Sequence, residues 1–116
     1  MGVASALDRQ VQFRRFVGVP DGFGGETKEW QDHGGLVWAL RRDVKDEEAM
    51  RAGVFGSSLL TRFQVRYSPF TRDLTTEDRV ECEGVTFEII GIKEPATGQR
   101  RQLLEITGQT ATGGST

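Results

Sequence analysis

Cysteine is nearly absent: Cys82 is the only one in 116 residues. A lone cysteine cannot close an internal disulfide, which fits a reducing compartment. Its place on an apolar strand face reads as a small core residue and not as a nucleophile. Histidine is equally scarce, and the single His33 stands beside Gly34 and Gly35, where it reads as a loop residue rather than a catalyst or ligand. The chain offers no Ser/His/Asp set, no Cys/His pair and no metal-ligand spacing, so neither catalysis nor a metal or cofactor is expected. No run of eighteen apolar residues occurs, so no membrane-spanning helix and no membrane partner are expected. The opening MGVASALDRQ lacks a basic region followed by an apolar core, so no signal peptide is expected either. Lysine is rare as well: three Lys stand against twelve Arg, within a charge of 17 acidic and 15 basic residues. Near-balance argues against a free nucleic-acid-binding module, which is usually strongly basic. The arginine excess fits either protein–protein interfaces, where bidentate pairing is favoured, or an Arg-rich, GC-rich genome.

What is present is a set of short alternating apolar runs divided by turn residues, in a length that suits one domain. Leu7 to Val17 reads as a first strand, with Leu7, Val11 and Phe13 on one parity. Pro20, Asp21-Gly22 and Gly24-Gly25 then supply a hairpin loop. It is glycine-rich, but no Lys-Ser/Thr follows and GxGxxG is missing, so it is no phosphate loop. Glu29 to Asp32 and Leu36 to Arg41 read as one strand broken at His33-Gly34-Gly35. Leu36, Trp38 and Leu40 share a face of it, and Trp30 and Trp38 are large enough to anchor the core or an interface.

Arg62 to Lys93 carries the densest pattern. Phe63, Val65 and Tyr67 alternate with Arg62, Gln64 and Arg66, and Pro69 ends that strand near Tyr67–Ser68. Leu74 to Asp78 reads as a single helical turn capped by Thr75, with the Asp78 carboxylate bonding back. Arg79 to Cys82 extends again, and Glu83-Gly84 turns the chain. Val85, Phe87 and Ile89 alternate until Ile90-Gly91-Ile92 shifts the parity, as a bulge does. Arg101 to Thr107 forms the last strand, with Leu104 and Ile106 on one face.

Arg42 to Ser58 breaks the β pattern. Asp43 can cap a short helix over Asp46 to Arg51, with Asp46, Glu47 and Glu48 near its positive end and Gly53 and Gly56 closing it. Val44, Ala49, Met50, Val54 and Phe55 are too few for a core helix, and long excursions of this kind are usually functional or disordered. The expected organisation is a loose start over 1–6, one domain over 7–108 with an insertion at 43–58, and a flexible polar tail over 109–116. Six strands with short connections must hide their edges. The predicted fold is therefore all-β, a small antiparallel six-stranded β-barrel with one inserted loop or short helix. Phe13, Trp38, Leu40, Phe63, Val65, Val80, Phe87, Ile89 and Leu104 are its predicted core.

The order of Arg66-Tyr67, Asp78-Arg79-Val80, Gly84, Phe87-Glu88-Ile89 and Gly91-Ile92 resembles the head–tail joining family of tailed phages, also called head-closure, stopper or adaptor proteins. Gly24-Gly25, Trp30 and Val37-Trp38-Ala39 extend the resemblance, which covers roughly residues 5 to 108. The resemblance implies a small β-barrel with an inserted loop, in a virion protein made in the host cytoplasm and placed at the head–tail interface. It implies a homo-oligomeric ring of six or twelve copies, with a portal or adaptor protein on one side and a tail terminator or tail protein on the other. Double-stranded DNA would pass through the ring without sequence specificity. The inserted loop would face the channel or a neighbouring ring. There Asp46, Glu47 and Glu48 would repel phosphate, and Met50, Val54 and Phe55 would offer apolar contacts. The mostly-β pattern favours a stopper over an adaptor, and a phage, a prophage or a gene transfer agent are all compatible sources. Arg62, Arg66 and Arg79, on exposed parities among acids, are the candidate subunit contacts. The alternative is a small-barrel nucleic-acid-binding module, which would need aromatics on a basic sheet face; here most aromatics fall on the apolar parity.

Overall fold

The computed structural model describes residues 7–45, 51, 59–94 and 102–110. In chain order these form β1 (Arg9–Pro20), β2 (Glu26–Asp32), β3 (Val37–Asp43), β4 (Leu60–Arg66), α1 (Pro69–Arg72), β5 (Arg79–Cys82), β6 (Val85–Lys93) and β7 (Leu103–Gln109). Every pairing is antiparallel. Hydrogen bonding runs β1-β3-β4-β7-β6-β5 and returns from β5 to β1, so six strands close a barrel and bury one another's edges. Among the described residues β2 pairs with β1 alone, and it stands outside the barrel as an extra strand.

The extra strand comes from the stretch that reads as one broken strand. β2 and β3 both run antiparallel to β1, in succession: Asp32 faces Arg14, then Val37 faces Val11. Between them the His33 N–H donates to the Phe13 carbonyl at 2.8 Å. Gly34 makes the break, with φ at +73° and no room for a side chain, since a Cβ would lie 2.5 Å from the Phe70 ring.

Phe13, Phe63 and Phe87 fill the barrel with Val11, Val65, Val80, Ile89, Leu104 and Ile106. Phe63 and Phe87 meet edge to face at 5.3 Å. Cys82 is buried in the same cluster. Two expected core residues are not there. Trp38 is 54 % exposed and Leu40 only half-buried, while Ala39 between them is fully buried. The register Arg9↔Ala39 and Ala39↔Val65 turns the small residue inward. Three Phe rings already occupy a narrow interior, and the side of β3 that fits is Val37-Ala39, not Leu36-Trp38-Leu40.

The local turn chemistry also differs in place. The helix forms earlier than predicted, with Ser68 as N-cap: its hydroxyl accepts the Thr71 N–H, and the Thr71 hydroxyl accepts the Ser68 N–H. Leu74 to Asp78 is a turn instead, yet the predicted back-bond exists, because Asp78 Oδ2 accepts the Thr75 N–H at 2.9 Å. Glu83 and Gly84 turn the β5–β6 hairpin with φ of 52° and 84°. The register slips between Ile89 and Gly91, as the parity shift predicts. The last strand runs beyond its predicted end: Gln109 pairs with Leu60, and the Thr110 N–H donates to the Leu59 carbonyl. Backbone pairing needs no apolar side chain, so the composition hides it.

Register sorts the connections onto two ends. At the Pro20 end of β1 lie the 21–25 loop, α1 and the start of β7. At the Arg9 end lie Leu7, the Glu83-Gly84 turn, and Asp43 facing Thr61 where the excursion leaves and returns. Residues 46–50 and 52–58, and with them the expected helix and Asp46, Glu47, Glu48, Met50, Val54 and Phe55, lie outside the described residues.

Candidate functional site

The β1–β2 ribbon projects from the barrel as a wing, and its base is built from charged and aromatic residues. Arg15 donates from Nε and Nη2 to the two oxygens of Asp78, each at 2.8 Å, and from Nη1 to Asp73 Oδ2 at 2.8 Å. Asp78 is buried, which pushes its carboxyl up. The Arg15 hydrogen bonds, the Thr75 amide and the Arg15 charge outweigh this and hold it below its ordinary value. The same contact, led by the Asp78 hydrogen bonds, raises the Arg15 guanidinium. His33 stacks on Phe70 at 5.1 Å, with Nε2 3.5 Å from Asp73 Oδ2, and Phe70 meets Phe13 edge to face. The helix and the following turn thus clamp the wing to the barrel.

On the outer face Phe16 packs against Trp30 at 5.1 Å, and the Arg79 guanidinium lies 4.1 Å from the Trp30 ring centroid. Arg14 ties β1 to β2 through Asp32 at 2.6 Å and the Trp30 carbonyl at 3.1 Å. Shallow grooves flank Trp30. One, about 390 Å³, runs between Phe16, Lys28 and Trp30 on one side and Asp73, Glu77 and Asp78 on the other. At the wing tip Phe23 is 94 % exposed.

The arrangement suits contact rather than chemistry. Among the described residues no three His, Cys, Asp or Glu side chains gather as a metal site. Cys82 is buried, and burial pushes its thiol up, away from the thiolate a nucleophile needs. Of the predicted subunit contacts, Arg66 is exposed at the end of β4 and Arg62 is half-buried on its outer face. Arg79 is held within the chain by Trp30 and by Glu88 at 3.8 Å. The structure does not bring the three together at one place. The Arg15–Asp78 clamp and the Phe16–Trp30 pair escape the sequence reading, because Phe16 falls on the polar parity of β1.

A family model described as phage head completion protein matches residues 4–109. The chain belongs to the phage head completion protein family. It is accordingly a structural, head-related virion protein. Among solved structures, a protein of Shigella flexneri 2a, determined in solution, has the same fold at a TM-score of 0.71 and 23 % identity, over 98 % of this chain and 100 % of that one. A chain from the virion of a native gene transfer agent particle matches at a TM-score of 0.60 and 28 % identity, over 90 % of this chain and 94 % of that one. No curated protein matches.

Proposed function

We propose that this protein closes the head of a phage or gene-transfer-agent particle as a ring of six or twelve copies at the head–tail junction. One face of the ring meets the portal or an adaptor, and the other meets a tail terminator or tail protein. Double-stranded DNA passes through the centre without sequence specificity. The excursion carrying Asp46, Glu47, Glu48, Met50, Val54 and Phe55 faces the channel or the adjoining ring and helps to retain the DNA.

One observation carries this reading: the family match spans the whole barrel, wing and excursion together. The fold has the form such a role needs. A closed barrel gives a stiff body, and its described connections fall on two ends, the wing at one and the Asp43–Thr61 pair that flanks the excursion at the other, so two different neighbours can be met at once. The test is to remove the chain from the particle-producing cell. The expected outcome is heads that package DNA but lose it and carry no tails. Tailed particles that hold their DNA without this protein would contradict the reading.

A further inference from the structure

Charge is unevenly spent on this molecule. Three exposed cations, Arg42 on β3, Arg66 on β4 and Arg72 on α1, make no ion pair among the described residues. Arg42 shares the outer parity of β3 with Trp38, which is more than half exposed, and Leu36, 61 % exposed, stands just before that strand. Arg66 follows Val65, which faces Ala39, so it occupies the position beside Trp38 across the sheet. Arg72 lies 6.0 Å from the ring of Tyr67, just past the end of β4. This face is therefore cationic and apolar, with a tryptophan at its middle.

Toward its tip the wing has the opposite balance, three exposed acids against the single exposed Lys28. Asp21, Glu26 and Glu29 are exposed and have no cation partner among the described residues. Asp21 accepts the Phe23 N–H in the tip loop, Glu26 faces Pro20 at the ribbon end, and Glu29 lies three pairs farther in, opposite Val17. Among the described residues β2 pairs only with β1, and the Arg15–Pro20 half of β1 pairs only with β2, so both edges of the ribbon lack a described partner strand. A bare two-stranded ribbon is marginal in water and gains from a partner.

We propose that the acidic wing of one copy docks on the basic, Trp38-bearing β3–β4 face of the next copy, with Phe23 against Leu36 and Trp38 and the wing carboxylates against Arg42, Arg66 and Arg72. The occupant is a second copy because the complementary charge is present on this same chain, on a different element. The contact is head-to-tail and not two-fold, since the β3–β4 face laid on itself would set arginine against arginine. Head-to-tail contacts propagate and close into rings when the rotation permits. The proposal rests on the ring reading above and names the two surfaces that build it.

The test uses two purified full-length variants, a face variant with Arg42→Glu and Arg66→Glu and a wing variant with Glu26→Lys and Glu29→Lys. All four positions are exposed, so unchanged melting temperatures serve as the folding control. Mass is followed by light scattering across concentration. The wild-type chain is expected to assemble, each variant alone to stay monomeric, and an equimolar mixture to assemble again, because the reversed face accepts the reversed wing. Variants that assemble like the wild type would place the interface elsewhere and leave the ring reading standing. A mixture that stays monomeric would show that the two surfaces are not each other's partners. A wild-type chain monomeric at every concentration would overturn the ring and this contact together. A face variant that loses affinity for double-stranded DNA with its mass behaviour unchanged would assign the face to DNA and overturn the proposal.

Discussion

Arg15 and Asp78 tie the wing to the barrel through two 2.8 Å hydrogen bonds in a buried position. The Asp78 carboxyl ionises below its ordinary 3.8 in the folded chain. A depressed carboxyl stabilises the fold fully above the unfolded value, and that contribution is lost as pH falls through the folded one. The melting temperature should therefore decline below about pH 4, and Asp78→Asn should flatten part of that decline; identical acid profiles for the two proteins would refute the clamp. Asp78→Ala leaves a charged Arg15 facing Asp73 and solvent. It should cost about 3 kcal/mol, the low end for breaking a buried pair, measured by urea unfolding. In the core, Phe87→Ala removes a fully buried ring packed on Phe63 and should cost roughly 3–5 kcal/mol. A melting temperature equal to the wild type would take Phe87 out of the core. Phe87, Phe63 and Phe13 are legible in the sequence because each lies on an alternating parity with other apolar groups. Trp38 misleads because hydrophobicity alone favours its side of β3, and only the volume left by three Phe rings selects Ala39.

The β1–β2 wing leaves the barrel, and the excursion between β3 and β4 is the other departure from the strand pattern of the sequence. The hairpin loop at Pro20 to Gly25 and the break at His33 to Gly35 are both visible as turn chemistry. That the break frees β2 from the barrel is not visible, because it depends on β5 taking the β1 pairing up to Arg14. Gly34→Ala tests the break. A residue with a side chain at φ +73°, facing the Phe70 ring, should destabilise by more than about 1 kcal/mol in thermal unfolding. The excursion makes the reverse prediction. Insertions of this length add little closure entropy. Replacing Lys45 to Ser57 with a short Gly-Ser linker should leave the melting temperature nearly unchanged while particles leak DNA or fail to take tails. Filled, tailed particles from that replacement would remove the loop from the mechanism. The Arg15–Asp78 clamp escapes the sequence because it joins residues 63 positions apart, and no local pattern marks such a pair.

For the molecule as a whole, a formal charge of −2 conceals two surfaces of opposite sign. Composition argues against a free nucleic-acid binder, and Phe13, Phe63 and Phe87 lie inside the barrel; Trp38 alone of the tryptophans stands more than half exposed, beside Arg66, and the DNA arm of the face test decides what it meets. The barrel is predictable from strand number and the need to hide edges, whereas nothing in one chain's sequence displays the surfaces that meet other chains. The central claim is a ring at the junction of head and tail. Electron microscopy of the assembled particle tests it most directly. The expected result is density for this barrel in a six- or twelve-copy ring between portal and tail, with the wing of each copy over β3–β4 of the next. Barrel density on the capsid shell, or none at the junction, would contradict it.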